Sequence, residues 1–471
     1  MNSETSKACH SAISPESPFR TWLLGAVILL SVVTVKAQPV IKVAAGSYYT
    51  LFLKGDGSLW GMGDNRYGQL GNGTNRATNF PEQILACNVT AIAAGGYHTL
   101  FLKSDGSLWA MGNDQYGQLG DGIYATNSPF FGTNLPELIV ASNVTAIAAG
   151  GFYSLFLKSD GSLWAMGKNE HGQLGDGTYN SNNLPEQIVA SNVTAIAAGA
   201  AHSLFLKSDG SLWGMGNDYY GQLGDGKNSY TTILPEQIVA SNVTAIAAGN
   251  GHSLFLKSDG SLWAMGEDIY GQLGDGRYAD TWPDDGTNLP EQIVASNVTA
   301  IATGSEHSLF LKSDGSLWAM GWNLDGQLGN GSYNMTNLPD QIAAGNVAAI
   351  AANSYFSLFL KSDGSLWGMG YNLYGPFGDG GLILYTNSPQ QLIAGPLGYN
   401  EISIQLLIGN NVRLSFWGIS GAKYALDWSA GLSPPNWTPK VTNSAGTDGV
   451  LVFTNTSDPI VNNFWRVRSV P

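Results

Sequence analysis

The run Ser253–Gly266, SLFLKSDGSLWAMG, sets an apolar stretch rich in strand formers (Leu254, Phe255, Leu256) against a polar Ser-Asp-Gly break, followed by a second apolar stretch (Leu262, Trp263, Ala264, Met265). Asp-Gly between two such runs is a strong short-range hairpin signal, and tight primed turns need positive φ at both central residues. The pattern predicts a β-hairpin with a primed turn. Upstream, Val243–Gly249 (VTAIAAG) predicts a third strand, and Leu234–Val239 (LPEQIV) a short fourth beginning just after a proline, where a strand tolerates one.

The core DGSLW recurs with its tryptophan at Trp60, Trp109, Trp164, Trp213, Trp263, Trp318 and Trp367, a spacing of 49 to 55 residues. Periods of this length mark propellers and solenoids. Four short strands per period make a propeller blade. The expected fold is therefore all-β, a seven-bladed β-propeller over residues 38–396. The first copy starts abruptly at Ile41 and the last leaves Pro389–Ile393 over. That surplus strand is expected to complete blade one, removing the open sheet edge.

After Gly395-Pro396 the repeat stops, and residues 397–471 read as five or six short strands: Glu401–Leu407, Val412–Trp417, Tyr424–Ser429, Val450–Thr454 and Phe464–Val467. This predicts a small C-terminal β-sandwich-like module. At the other end, Arg20 precedes an apolar run, Trp22–Val35, closed by Val35-Lys36-Ala37. Residues 1–37 read as an export signal with the mature chain starting at Gln38, because the run is shorter than the roughly 20 residues a membrane span needs. The protein is expected to be secreted or on the cell surface. Cleavage would remove Cys9 and with it any intrachain disulfide; Cys87 holds a slot filled elsewhere by Ser142, Ser191, Ser241 and Ser296.

Charged residues are 12% of the chain and the formal net charge is −14. Affinity for phosphate backbones comes from clustered Lys and Arg, so nucleic acid is an unsuitable partner. Seven lysines (Lys54, Lys103, Lys158, Lys207, Lys257, Lys312, Lys361) precede the Asp-Gly turns and read as solvated strand ends.

The extended pattern G-x-x-H-S-L-x-L-K-x-D-G-x-L-W-x-M-G-x-N-x-Y-G-Q-L-G-D-G resembles the RCC1 (regulator of chromosome condensation) repeat over residues 39–395. The resemblance implies a seven-bladed propeller. This chain departs from the family's W-G as W-A-M-G or W-G-M-G, and its seventh copy reads Gly375-Pro376-Phe377-Gly378, where a proline removes a backbone donor and a locally different corner is expected. Family members that act on a small GTPase or dock on chromatin work inside the cell; with an export signal and an acidic balance, no small GTPase is expected here. A secreted bacterial type is the nearer analogy, whose members include β-lactamase inhibitors that bind through one face.

Candidate chemistry is sparse. His98, His202, His252 and His307 share one repeat position, but Tyr49, Tyr153 and Phe356 hold it in the other copies, so a packing role is expected there rather than metal or base chemistry. The Asp-Gly turns and the GDG segments (Asp121, Asp176, Asp225, Asp275, Asp379) lack the D-x-D-x-D-G spacing that converges oxygens on calcium. No catalytic residue, metal or cofactor is assigned, and the chain is read as a non-enzyme.

The copies themselves differ in one respect. The A-S-N and S-D-G loops fall on one face of a blade and are nearly identical; the loop after A-A-G and the long segment beyond W-x-M-G fall on the other and diverge. There lie Tyr48, Tyr97, Phe152, Tyr219, Ile269, Trp322, Tyr355 and Tyr371, the acids Glu170, Glu267, Asp268 and Glu306, and two insertions, Pro129–Asn134 with Phe130 and Phe131, and Trp282–Thr287. Exposed aromatics among acids suit recognition surfaces. The expected binding residues are Tyr97, Phe130, Phe131, Phe152, Tyr219, Trp282, Trp322 and Tyr371. Their expected ligand is an extracellular or envelope protein bound by a monomer, with a glycan as the alternative; hydrolysis by Glu170, Glu267 or Glu306 and a purely structural surface-layer role are the remaining readings.

Overall fold

A computed structural model describes residues 38–125, 132–227, 229–278, 286–381 and 383–395, and the backbone of the strands at 402–407, 411–417, 423–429, 438–444, 450–456 and 464–470. The expected leader, 1–37, and with it the start at Gln38 as a processing site, lies outside the described residues, as do Phe130, Phe131 and Trp282.

Residues 39–392 form one compact unit of seven four-stranded antiparallel sheets, each built from four consecutive strands. Blade one consists of β1 (Val40–Ala45), β2 (Tyr49–Lys54), β3 (Leu59–Gly63) and β4 (Thr78–Leu85). The other blades span 89–140, 144–189, 193–239, 243–294, 298–343 and 347–393. The surplus strand, Tyr385–Ile393, is the fourth strand of blade seven and does not complete blade one. No strand is exchanged; the ring closes through contacts between blades seven and one, among them Asn353 Nδ2 donating to the Ala45 carbonyl at 3.0 Å.

Burial explains which residues go where. The second strand of each blade is buried over five successive residues, because neighbouring blades cover both its faces. It is therefore a continuous apolar run rather than an alternating one. At six interfaces, from that of blades one and two to that of blades six and seven, a Phe, a Met and a Val from one blade fill a layer of leucines on the blade before; Val298, Phe310 and Met320 pack on Leu254, Leu256, Leu262 and Leu273. The first strands carry alanine where they converge, and with the adjoining loops they line a central channel of about 460 Å³. The fourth strands form the rim. Each keeps its proline inside the strand, at a register shift such as that between the Ala264–Glu291 and Gly266–Thr287 pairs, where the missing N–H breaks no ladder bond.

The hairpin differs from the expected primed turn. Positive φ falls on the glycine alone (Gly260, 76°), while the Gly260 N–H bonds the Lys257 carbonyl at 2.9 Å and the Lys257 N–H the Ser261 carbonyl at 3.1 Å. A β-turn followed by a left-handed glycine replaces the two-residue loop. Nor are the lysines free strand ends. Each ammonium lies 3.6 to 4.1 Å from the centre of its own tryptophan ring, which stacks in turn on the Phe of the second strand. In blade seven, proline leaves the corner intact: Gly378 N–H still bonds the Gly375 carbonyl at 3.0 Å and Phe377 N–H the Asn372 side chain at 3.0 Å. What is lost is the glutamine side chain that elsewhere accepts from the tyrosine N–H, as Gln69 does from Tyr67.

The histidines join blades. Each Nε2 lies 2.8 to 3.0 Å from a serine hydroxyl of the next blade (His98–Ser154, His202–Ser253, His252–Ser308, His307–Ser357). Those serines donate to glutamine carbonyls, as Ser253 does to Gln222, so Nε2 carries the proton and donates. Nδ1 is buried with no partner. Burial holds the imidazoles neutral, pushing them down to about 4 for His98 and His202 and about 3 for His252 and His307. Tyr49 and Tyr153 make the equivalent link by donating to the His98 and His202 carbonyls. Phe356 has no such group, and the hydroxyl opposite it, Thr50 Oγ1, is buried without a partner.

Residues 393–471 belong to a second unit. Its strands Ile402–Leu407, Asn411–Trp417 and Val450–Thr456 form one antiparallel sheet, and Lys423–Ser429, Thr438–Ser444 and Phe464–Val470 another. The sixth strand, Thr438–Ser444, had no assigned place in the sequence reading. Side-chain packing between the sheets, which would define a sandwich, lies outside the described residues.

Candidate functional site: the divergent face

The two faces are built from different loops. On one, the N–H that starts each of blades two to seven bonds the turn glycine carbonyl of the blade before, as Val298 does to Gly260 at 3.0 Å. The asparagines of the A-S-N loops take positive φ of 65 to 69° and accept from the following turn, as Asn242 does from Ser258 at 2.9 Å. Loops that bind copies of one another have little freedom to differ.

The other face is assembled from the loop between strands one and two and the segment between strands three and four. The second glycine of each GDG or GNG bonds a carbonyl at the start of the next blade's fourth strand, from Gly73 N–H to Asn134 at 2.9 Å round to Gly380 N–H to Asn79 at 2.9 Å, a full circle. The backbone there is fixed and the side chains above it vary. The GDG aspartates act as turn residues; Asp225 and Asp275 accept from the N–H two residues on at 2.8 Å.

The expected binding residues that are described all lie on this face. They are mostly half-buried, bridging blades rather than standing free. Tyr97 of blade two lies 5.1 Å from Tyr67 of blade one and 5.8 Å from Phe152 of blade three, and Phe152 lies 5.4 Å from Tyr116. Tyr371 of blade seven lies 5.7 Å from Tyr48 and 5.5 Å from Tyr385. Tyr219, 43% exposed, sits 4.9 Å from Tyr220 and 5.4 Å from Tyr230. Trp322 contacts Tyr270 edge-on at 4.6 Å, and its indole N–H points at Asp325 Oδ2, 3.4 Å away.

The acids divide three ways. Glu170 is exposed and paired with Lys168 at 2.9 Å. Asp268 is turned inward, accepting from the Leu273 N–H at 2.9 Å, and burial pushes its carboxyl up to about 8. Glu306 is raised chiefly by burial; it is hydrogen-bonded to Glu267 and accepts from Asn250 at 3.0 Å and Gln272 at 3.2 Å. Glu267 is buried too, so these acids are not the uniformly exposed set the sequence suggested.

Sequence reasoning passed over five site residues: Tyr67, Tyr116, Tyr220, Tyr270 and Tyr374, the tyrosines of Y-G-Q-L-G. Their recurrence marked them as repeat, yet Tyr67, Tyr116, Tyr270 and Tyr374 each meet a variable ring from the next blade, and Tyr220 meets Tyr219 of its own. Their substitution by His171 and Asp325 in two copies was the available signal. Two cations were missed as well. Arg66 binds Asp64 at 2.9 Å and lies 4.8 Å from the Tyr374 ring, and Lys168 lies 4.9 Å from the Tyr116 ring.

A closed seven-bladed all-β propeller with one constant and one divergent face is a scaffold for presenting loops. The model of the RCC1-like domain matches residues 132–419, and RCC1 repeat models match 56–102 and 105–157, and 40–69 and 89–118. The chain belongs to the RCC1-like family. It is 30% identical over 144 residues to the mouse (Mus musculus) E3 ubiquitin-protein ligase HERC2, covering 30% of this chain and 3% of the length of that relative. Human WBSCR16 is similar in structure, with a TM-score of 0.61 at 25% identity over 68% of this chain and 85% of that one. Prp20p of Saccharomyces cerevisiae, described with its binding to Gsp1p and histones, gives 0.64 at 22% identity over 75% and 90%. The yeast protein also appears bound to Kap60. Propellers of this kind commonly mediate protein interactions.

Proposed function

We propose that this protein is an exported, non-catalytic binding protein that holds another protein on the divergent face of its propeller. The observation that carries this reading is the unequal variation: a stitched backbone supports Tyr97, Phe152, Tyr219, Trp322 and Tyr371 around one face, while the opposite face repeats itself. Rigid aromatic side chains supply contact area at small entropic cost. Binding of Prp20p to proteins supports the use of such a fold in recognition.

The test is cross-linking pull-down from the producing cells with the wild type beside Tyr97→Ala/Phe152→Ala and Tyr371→Ala. Loss of a captured protein in these variants, with unchanged melting, is expected; capture that persists in both defeats the reading. Binding to a glycan array without any protein capture would favour the carbohydrate alternative, for which the exposed ring pair Tyr219 and Tyr230 is the supporting feature. Detection of the chain outside the producing cell, lacking residues 1–37, tests export.

A further inference from the structure

Round the divergent face, four junctions bring a Y-G-Q-L-G tyrosine against a ring of the next blade, and two of them contain a cation from the chain itself. Between blades seven and one, Arg66 lies over the Tyr374 ring and is neutralised by Asp64. Between blades two and three, Lys168 lies near the rings of Tyr116 and Phe152 and is neutralised by Glu170. Tyr374 and Tyr116 occupy the same repeat position, the tyrosine of Y-G-Q-L-G, whose counterpart between blades five and six is Tyr270.

Among the described residues, that third junction has the rings and the acids but no cation. At the positions of Lys168 and Arg66, blade six carries Trp322 and Leu324. Tyr270 and Trp322 meet at 76°, forming two walls of a corner. Glu306 and Glu267 share a hydrogen bond beside it, which places a proton between two carboxyl groups, and Asp325 lies below the indole. The ionisable groups acting on Tyr270 and on Tyr355 of blade seven are Glu306, Glu267, Asp325 and other phenols; no Lys or Arg is among them. Glu306, Tyr270, Trp322 and Tyr355 are each partly open to solvent.

We propose that this acidic and aromatic corner between blades five and six receives a lysine or arginine side chain from the bound protein. The cation would lie against Tyr270 and Trp322, as Arg66 lies against Tyr374, and would displace the proton held between Glu306 and Glu267. Aromatic faces and carboxylates both favour a cation, and desolvation strengthens each. The inference rests on the divergent face being the binding surface.

The probe is an acetylated, amidated tetra-arginine peptide, with a tetra-glutamine peptide as control, measured by calorimetry on the full chain at low salt. Expected are binding of the arginine peptide alone, at least tenfold weakening by Trp322→Ala and by Glu306→Gln, and no change with Glu170→Gln, an exposed acid on the same face. A heat of binding that varies with the ionisation heat of the buffer would report the released proton, and Glu306→Gln should abolish that variation. Equal weakening by Glu170→Gln would mean diffuse attraction to an acidic protein and overturn the proposal, as would absence of binding. Melting curves of the variants establish that each is folded, and Glu306→Gln, an isosteric change, is decisive should Trp322→Ala unfold. If the natural partner is lost with Tyr97→Ala but held unchanged by Glu306→Gln and Trp322→Ala, the corner fails and the face survives; if none of the three matters, both fail.

Discussion

The two faces of the disc are made from the same seven copies, yet one is uniform and the other is not. On the uniform face, loops bond loops: the turn glycine carbonyls of blades one to six receive the next blade's first N–H, and the left-handed asparagines receive the following turn. A change in one copy there is felt by its neighbour. On the divergent face a full circle of backbone bonds links blade to blade, and the side-chain bridges above it, such as Asn250 to Glu306 or Tyr67 to Tyr97, differ from junction to junction without loss of the ring. Variation collects where the ring is held by backbone bonds and the side-chain contacts above them can change from one junction to the next.

That contrast can be broken by substitution. The largest single effect is expected below both faces: Phe255→Ala, in the fully buried layer between blades four and five, should cost about 3–5 kcal/mol in chemical denaturation. A cost under 1 kcal/mol would mean that blade contacts do not hold the disc.

Acid should weaken the ring next. An unfolded histidine titrates near pH 6.5, whereas the buried imidazoles do so at about 4 or 3, so between those values only the unfolded chain takes up protons. Stability from these groups is therefore complete above pH 6.5 and is lost as the pH falls towards 4, at about 1.4 kcal/mol per pH unit for each histidine. His252→Phe, copying blade seven, should remove one histidine's share of that slope; an unchanged slope would place the protonation elsewhere.

On the uniform face, Asn242→Ala puts a Cβ-branched-free but still disfavoured residue at φ 66° and should cost about 1 kcal/mol, while Asn242→Gly should be nearly neutral. Similar losses for both would assign the effect to the side chain rather than to φ. Smallest of all, Tyr219→Ala on the divergent face should leave stability within about 0.5 kcal/mol, since the residue is exposed. A large loss would make that face structural.

Blade number, strand content and the division into faces could be read from the sequence because each depends on local pattern repeated seven times. Closure could not. Pro389–Ile393 follows the same proline-led polar-then-apolar pattern as the other fourth strands, and the long segment before it could reach either sheet; pairing with its own blade is decided by contacts that periodicity does not record. The turn was misread because Asp-Gly alone does not count loop residues, and the Lys257–Ser261 bond does. At the site, the variable residues were visible as departures from the repeat. Their partners Tyr67, Tyr116 and Tyr270 were not, since a constant residue acquires a different role only when the next blade supplies a different neighbour. The histidines lie buried between blades, and their bonds to the next blade's serines cross about 50 residues of chain and leave no local trace.

Six of the seven junctions are crossed by the chain, and six carry a polar link from the histidine or tyrosine position; the junction of first and last blades has neither, because Phe356 faces Thr50 and no strand passes over. It is a seam as well as a contact. Loosening of the disc should begin there, at the cost of a single interface, leaving six blades still stacked in a row like a solenoid until the remaining contacts give way.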